Sequence, residues 1–250
     1  MAYTTINKST SYFNTKLYTG DASSSHAITG VGFRPDWLWL KNRSASGNHF
    51  AVDVVRGANK VLVPNDTDAE ATESYVASLD SDGFTLGSAS NNVNGSYNYV
   101  AWNWLAGGSQ GSSNTDGSIN TTYTSVNTTA GFSISQYTGT GSNATVGHGL
   151  GVVPDMILVK SLSGGGDWTS YHSVLGNTKY MRLNSTNASA TQSSYWNDTS
   201  PTSTVFSLGS AGDTNTNGGT HVAYCFAEKK GYSKFGSYTG NGNADGTFIY

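Results

Sequence analysis

Four of the six tryptophans stand in two pairs, Trp37 with Trp39 and Trp102 with Trp104. Side chains alternate between the two faces of a β-strand, so the members of each pair point to the same face. Flat rings side by side on a sheet can stack on sugars, which is the chemistry of a carbohydrate-binding platform. The same spacing also suits the core of a β-sandwich, where the rings would supply volume.

The other two tryptophans, Trp168 and Trp196, lie in polar surroundings that are rich in glycine and serine. Such segments are typical of surface loops. Both rings are therefore better candidates for exposure to solvent than the paired tryptophans. Trp168 and Trp196 are the candidate residues for contact with a ligand or a partner.

The sequence gives little support for catalysis. A glycosidase needs two carboxylates that face each other across a cleft, but the acidic residues are few and most stand in predicted turns. Cys225 has no plausible base. We predict no catalytic residues and a protein that is not an enzyme; a polysaccharide-degrading enzyme is the enzymatic alternative. The acids considered are Asp36, Asp53, Asp80, Asp82, Asp155 and Asp167.

Metal ligands in a recognisable pattern are also missing from the sequence. The five histidines form no His-x-x-x-His motif, and no cysteine pair accompanies them. The acidic loops at residues 65–68 and 80–82 carry oxygens that suit Ca²⁺, but neither matches a full calcium loop. Asp and Asn side chains also bond to their own backbone in turns. We predict no metal and no cofactor, with calcium as the alternative.

The composition favours short strands that are joined by polar turns. Of 250 residues, 12% are charged, 12% are aromatic and 31 are glycine. A net charge of −3 without a basic stripe argues against a nucleic-acid partner. No apolar run approaches the roughly 18 residues that a membrane span needs, so we predict no membrane insertion.

An internal repeat organises the chain. The block at residues 31–41 recurs at 150–160, an offset of 119 residues, and later blocks recur at an offset of 122. Four blocks in the same order are hard to attribute to chance. The matched ranges are 17–20 with 136–139 and 237–240, 31–41 with 150–160, 83–87 with 205–209, and 99–104 with 221–226.

The repeat provides an internal test of the paired tryptophans. In the second copy their positions hold Met156, Leu158, Tyr224 and Phe226. Apolar volume is kept while flat rings are partly lost, which is how core positions behave. The comparison therefore favours core packing over a sugar platform.

The repeat also predicts the domain organisation. Residues 1–108 form a first β-sandwich with an N-terminal arm, 109–130 a linker rich in Gly, Ser, Thr and Asn, and 131–231 a second β-sandwich. Residues 232–250 begin a third copy, and we expect the native chain to continue beyond them. The alternative is a C-terminal strand that folds back onto the second sandwich.

The strand pattern places the chain in the all-β class, as tandem antiparallel β-sandwiches of the jelly-roll type. A tight turn is predicted at residues 80–83, and one or two helical turns within 66–75. Strands of the first copy are predicted at 12–18, 37–41, 49–55, 60–63, 76–79, 84–86 and 97–105.

These blocks resemble repeat-built virion proteins of tailed bacteriophages, especially marine ones. The resemblance is carried by residues 3–6, 12–20, 31–44, 78–84 and 100–104 and covers nearly the whole chain. It implies concanavalin-like (laminin-G-like) β-sandwiches and a virion structural component: a tail fibre, a tail appendage or a capsid decoration. The family brings no catalytic residues with it.

Two functions are therefore carried forward. The first is a virion structural protein that forms homo-oligomers, contacts other virion proteins, is assembled in the host cytoplasm and is exposed on the particle surface. The second is a lectin-like module that recognises host surface polysaccharide.

Overall fold

The computed structural model describes residues 4–248. The first three residues of the predicted N-terminal arm, and the last two of the predicted third copy, lie outside the described residues. As predicted, the chain is all-β and its sheets are antiparallel. Among the described residues, no helix is long and apolar enough to cross a membrane.

The first half of the chain folds into two sheets after a 3-10 turn over Ser9–Ser11. Its strands are β1 (Phe13–Thr19), β2 (His26–Thr29), β3 (Trp37–Asn42), β4 (His49–Asp53), β5 (Gly57–Leu62), β6 (Ala71–Thr72), β7 (Val76–Asp80), β8 (Gly83–Leu86) and β9 (Asn98–Trp104). The large sheet has the order β1-β9-β3-β4-β5-β6, and the small sheet has the order β2-β8-β7.

The second half also forms a large and a small sheet. Its elements are β10 (Tyr123–Asn127), β11 (Phe132–Thr138), β12 (Ala144–Gly147), β13 (Met156–Ser161), β14 (Thr169–His172), β15 (Lys179–Arg182), β16 (Ala190–Thr191), α1 (Ser193–Trp196), β17 (Val205–Leu208), α2 (Gly212–Asn215) and β18 (Thr220–Phe226). The large sheet has the order β10-β11-β18-β13-β14-β15-β16, and β12 pairs with β17. Apart from β10, the strand order of the two large sheets is the same.

Side chains alternate between the two faces of a strand, and the central strands of each large sheet are buried on both faces. On β3, Leu38 packs into the core of the first half, while Trp37 points to the opposite face. On β18, Cys225 packs into the core of the second half, while Tyr224 points to the opposite face. The two large sheets thus face each other across a shared third core, which we call the central layer. Its buried members are Trp37, Val54, Val55, Leu62, Ala106, Phe132, Ile134, Leu158, Leu162, Trp168, Val222 and Tyr224.

The repeated Tyr-Thr-Gly block holds the loop that precedes β9 in the first half and the loop that precedes β18 in the second half. The Tyr18 hydroxyl donates a hydrogen bond to the Val93 carbonyl (2.7 Å), and the Tyr137 hydroxyl donates one to the Thr214 carbonyl (2.6 Å). The glycine of the block lies so close to this loop that a Cβ at Gly20 would collide with backbone. The motif that reveals the repeat is therefore a structural clamp.

A buried asparagine completes each clamp. Asn94 accepts a hydrogen bond from the Asp21 backbone N–H (3.2 Å), and Asn215 accepts one from the Thr140 backbone N–H (2.7 Å). Both side chains are fully buried, so these bonds satisfy groups that would otherwise be costly to bury. The two asparagines stand 121 residues apart, between the offsets of the neighbouring blocks.

The predicted turn at residues 80–83 is confirmed as the hairpin between β7 and β8, in which Asp80 pairs with Gly83. The helical turns predicted within 66–75 are wrong. That range holds bends, irregular chain and β6, whose Ala71 and Thr72 pair with β5. The range predicted as linker, 109–130, contains β10, which pairs along its whole length with β11.

Candidate functional site

Trp37 lies at the centre of the central layer, only 1% exposed. Its ring stacks on Tyr224 (centroids 4.5 Å apart) and packs at a tilt against Trp104 at the same distance. Trp39 and Trp104 are half-buried and pack against the same layer. Core packing, which the repeat favoured, is confirmed for Trp37.

An apolar cavity of about 530 Å³ opens beside these rings, within the size range of small-molecule sites. The first half contributes one wall with Phe13 and the three tryptophans, and the second half contributes the opposite wall. Tyr232, Ser233 and Phe235, which follow β18, also line it. The lining residues are Ser9, Phe13, Trp37, Trp39, Trp104, Ala130, Gly131, Phe132, Met156, Leu158, Leu183, Phe226, Ala227, Tyr232, Ser233 and Phe235.

The prediction that Trp168 is exposed is wrong, because the ring is completely buried in the central layer. Its indole N–H donates to the Val63 carbonyl of the first half (3.0 Å), and its ring stacks at 6.0 Å on Tyr224. The polar residues next to Trp168 in the sequence reflect only the loop in which it lies. The burial of the ring depends on the other half of the chain.

The prediction that Trp196 is exposed is also wrong, since only 2% of the residue is accessible. It ends the short helix α1 and packs edge-on against Tyr171 inside the core of the second half. Neither nominated tryptophan offers a ring face to solvent.

Residues 63–70, which we call the bridging segment, dock onto the second half. The Thr67 carbonyl accepts hydrogen bonds from the Lys160 ammonium (3.2 Å) and from the Gly166 backbone N–H (2.8 Å). The Glu70 backbone N–H donates to the Leu162 carbonyl (3.3 Å). These bonds use the carbonyl and N–H groups that a helix would need, which explains why no helix forms here.

A buried charged network also joins the halves. The Arg56 guanidinium bonds to the carboxylates of Asp53 (2.6 Å) and Glu70 (3.0 Å). The hydroxyl of Tyr224, from the second half, donates to Asp53 at 2.6 Å. Burial alone would lower the pKa of Arg56, but Asp53, Tyr224 and Glu70 raise it above its ordinary value. Burial, and then the Asp53 carboxylate, raise the pKa of Tyr224, so its hydroxyl stays a donor.

Two aspartates join strands at matched positions. Asp36 is buried, and its carboxylate accepts hydrogen bonds from the backbone N–H groups of Ala106 and Gly108, both at 2.7 Å. Asp155 accepts one from the backbone N–H of Glu228 (2.8 Å). Asp36 therefore connects the chain after β9 to the start of β3, and Asp155 connects the chain after β18 to the start of β13.

The Asp36 carboxyl makes stability depend on pH. Burial raises its pKa from 3.8 to about 6, although the two N–H donors oppose the rise. The folded chain thus binds this proton more tightly than the unfolded chain, so the contribution of Asp36 to stability falls as pH rises from 4 through 6. We expect Asp36→Asn, which keeps an acceptor oxygen, to gain about 2 kcal/mol relative to wild type between pH 4 and pH 8. Urea unfolding at both pH values measures this gain, and parallel pH profiles would contradict it.

The acidic loops use their oxygens within the chain. Asp82 accepts hydrogen bonds from the backbone N–H groups of Gly30 (3.0 Å) and Gly32 (2.7 Å), which lower its pKa. Asp66 accepts one from the backbone N–H of Thr67. Within residues 4–248, no three His, Cys, Asp or Glu side chains are grouped as metal ligands.

Cys225 lies in the core of the second half, where burial raises the pKa of its thiol to about 12. A thiol in that environment remains protonated near neutral pH and is a poor nucleophile.

The sequence patterns did not reveal the residues that stabilise each half or that join the two halves. Asn94 and Asn215 could have been found by extending the repeat alignment into the loops. Arg56 has no such signal, because its matched position in the second half is Leu175. Tyr224 was recognised only as an apolar match to Trp102.

Comparisons with known proteins identify the family but no activity. No curated protein and no solved structure matches the chain. A family model described as a domain of unknown function, DUF7483, matches residues 8–250, which include both halves and the segment after β18. The chain therefore belongs to the DUF7483 family.

Proposed function

We propose that this chain is a structural component of a tailed-bacteriophage particle, acting through assembly and surface contacts. The observation that carries the proposal is the central layer. There the aromatic rings, Arg56 and the bridging segment are used to fix two copies of one repeat against each other. Such an arrangement suits a rigid building unit. The assignment to a phage particle rests on the resemblance of the repeat blocks.

We further propose that each half is a concanavalin-like β-sandwich of the jelly-roll type. The first would span residues 1–108 and the second 131–231, with the intervening range contributing β10 to the second large sheet. Support comes from the shared strand order of the two large sheets and from the separate core that each half forms with its small sheet.

Exposed apolar residues offer a surface for contacts between copies. Val153 and Val174 are 52% and 54% exposed, and Val152 lies beside them at 41%. Their loops are joined by a hydrogen bond from the Ser173 N–H to the Asp155 carbonyl (2.8 Å). Exposed apolar groups that lie together often mark protein interfaces.

Light scattering of the purified chain tests this proposal. We expect oligomers whose mass is a multiple of 26.3 kDa. The double variant Val153→Asp/Val174→Asp should shift them toward monomer by at least tenfold in dissociation constant, because it places charges in an apolar contact. Thr128→Asp/Thr129→Asp adds the same charge at exposed polar positions and serves as the control. A monomer at all concentrations that binds host polysaccharide on a glycan array would replace the proposal with the lectin-like function.

A further inference from the structure

We propose that a second cavity, which lies in the first half, binds the guanidinium group of a small cationic molecule. Its volume is about 460 Å³, within the range of small-molecule sites. Asp68, Glu73 and Tyr75 line it, and its apolar wall belongs to the core of the first half instead of the central layer. The proposal does not depend on the assignment to a phage particle.

The second half contains a place that matches this cavity, and the hydrogen bonds of two asparagines identify it. The Asn65 amide donates to the Asn48 side chain (3.0 Å), and the Asn184 amide, 119 residues later, donates to the Asp167 carboxylate (2.8 Å). Each asparagine also accepts a hydrogen bond from the backbone N–H of the residue after Asn48 or Asp167 (2.7 and 2.8 Å). Asn48, which lines the cavity, therefore corresponds to Asp167.

The strands beside the cavity extend the match. Leu62 on β5 and Met181 on β15 are 119 residues apart, and their partners on β4 and β14 are separated by the same offset. The residues that follow them in the chain are Val63 and Arg182. A valine of the first half thus corresponds to an arginine of the second.

In the second half, the guanidinium group of Arg182 occupies the matched place. It forms an ion pair with Asp167 and lies over the ring of Tyr180, 5.4 Å from the centroid. That ring stacks on Tyr195 (3.8 Å), whose hydroxyl donates to Asp213 (3.2 Å). A carboxylate beside an aromatic face is the environment that a planar guanidinium prefers.

The first half keeps similar surroundings but supplies no cation. Val61 and Val63 stand where the second half has Tyr180 and Arg182, and both valines line the open cavity. Tyr75 corresponds to Tyr195, since the backbone carbonyl of each accepts a hydrogen bond from the N–H of a matched glycine (3.1 and 3.0 Å). The cavity is therefore the place of an arginine side chain that this half lacks.

The charge of the lining also selects a cation. Asp68 and Glu73 are exposed, and the described residues give neither carboxylate a hydrogen bond or an ion pair. Among the described residues that line the cavity, none is Lys, Arg or His. Lys160 interacts electrostatically with Asp68, but it lies outside the lining and its ammonium bonds to the Thr67 carbonyl (3.2 Å). A guanidinium can bond to carboxylates in its plane while Tyr75 packs on its face.

Calorimetric titration of the full chain with agmatine at low ionic strength tests the proposal. Agmatine carries a guanidinium on a short chain that ends in an ammonium, so its two charges match the two carboxylates. We expect one site per chain, with binding about five- to tenfold tighter than that of 1,4-diaminobutane, which has the same charge but no planar group. Absence of agmatine binding, or equal binding of the two amines, would overturn the proposal.

Three variants locate the site. Asp68→Asn/Glu73→Gln removes both carboxylates and should weaken agmatine binding about tenfold. Asp198→Asn/Asp245→Asn removes the same charge at exposed positions outside the cavity and should leave binding unchanged. Val63→Arg supplies the guanidinium from the chain itself, as in the second half, and should abolish binding.

Near-ultraviolet circular dichroism checks that each variant is folded. Equal weakening by the two double variants, or unchanged binding in folded Val63→Arg, would refute the site. Light scattering with and without agmatine identifies the source of the guanidinium. Oligomers that agmatine leaves intact fit a free small molecule, whereas dissociation of oligomers by agmatine would replace it with an arginine side chain of a second copy.

Discussion

Arg56→Met should lower the free energy of unfolding by about 3–5 kcal/mol, because removing one member of a buried ion pair leaves the other without compensation. Arg56 neutralises Asp53, which is fully buried, and also reaches Glu70. Without the guanidinium, the Asp53 carboxylate would remain in an apolar layer with the Tyr224 hydroxyl and two backbone N–H groups as its donors. Denaturant unfolding at pH 7 measures the loss.

Two further variants separate burial from ion pairing. Arg182 pairs with Asp167 near the surface, so Arg182→Met should cost no more than about 1 kcal/mol. Arg56→Met/Asp53→Leu removes both buried charges together and should recover part of the loss. An equal loss in Arg56→Met and Arg182→Met would contradict the role assigned to burial.

Trp168→Ala should cost about 3–5 kcal/mol, the usual range when a large buried ring is truncated. The substitution removes the ring from the central layer and the hydrogen bond to the Val63 carbonyl. We therefore expect the bridging segment, residues 63–70, to loosen although it belongs to the other half. Hydrogen exchange should report faster exchange of its amides.

Trp196→Ala is the matched control. It should lower stability by a similar amount, since Trp196 is equally buried, but its cavity would lie in the core of the second half. Exchange in the bridging segment should then stay close to that of the wild type under native conditions. Equal acceleration by both variants would mean that Trp168 does not hold the segment.

Local patterns predicted the parts of the fold that depend on local physics. The strand predicted at residues 37–41 is present as β3, and Asp82-Gly83 located the hairpin after β7. Comparison of the two copies of the repeat was more informative, because matched positions show which residues can occupy the same place in the packing. The substitution of Trp37 by Met156 indicated a core without any structural information.

The errors share one physical cause: contacts between residues far apart in the chain. Trp168 is buried against the other half of the chain, where its hydrogen-bond partner Val63 lies 105 residues away. The bridging segment forms hydrogen bonds with the second half instead of the helical turns that its local sequence predicted. Arg56 depends on Tyr224, 168 residues away, and is absent from the repeat. A search for local composition or for repeated blocks sees none of these contacts.

The central layer also bears on how such a chain could arise. One repeat is the unit that duplicates, yet a single copy of the first half would present Trp37, Trp39 and Trp104 on an uncovered sheet face. An ancestor with one repeat would therefore have needed to pair with another molecule of itself. Gene fusion would then have made that pairing permanent and freed the two faces to diverge, as the unmatched Arg56 and Leu175 illustrate.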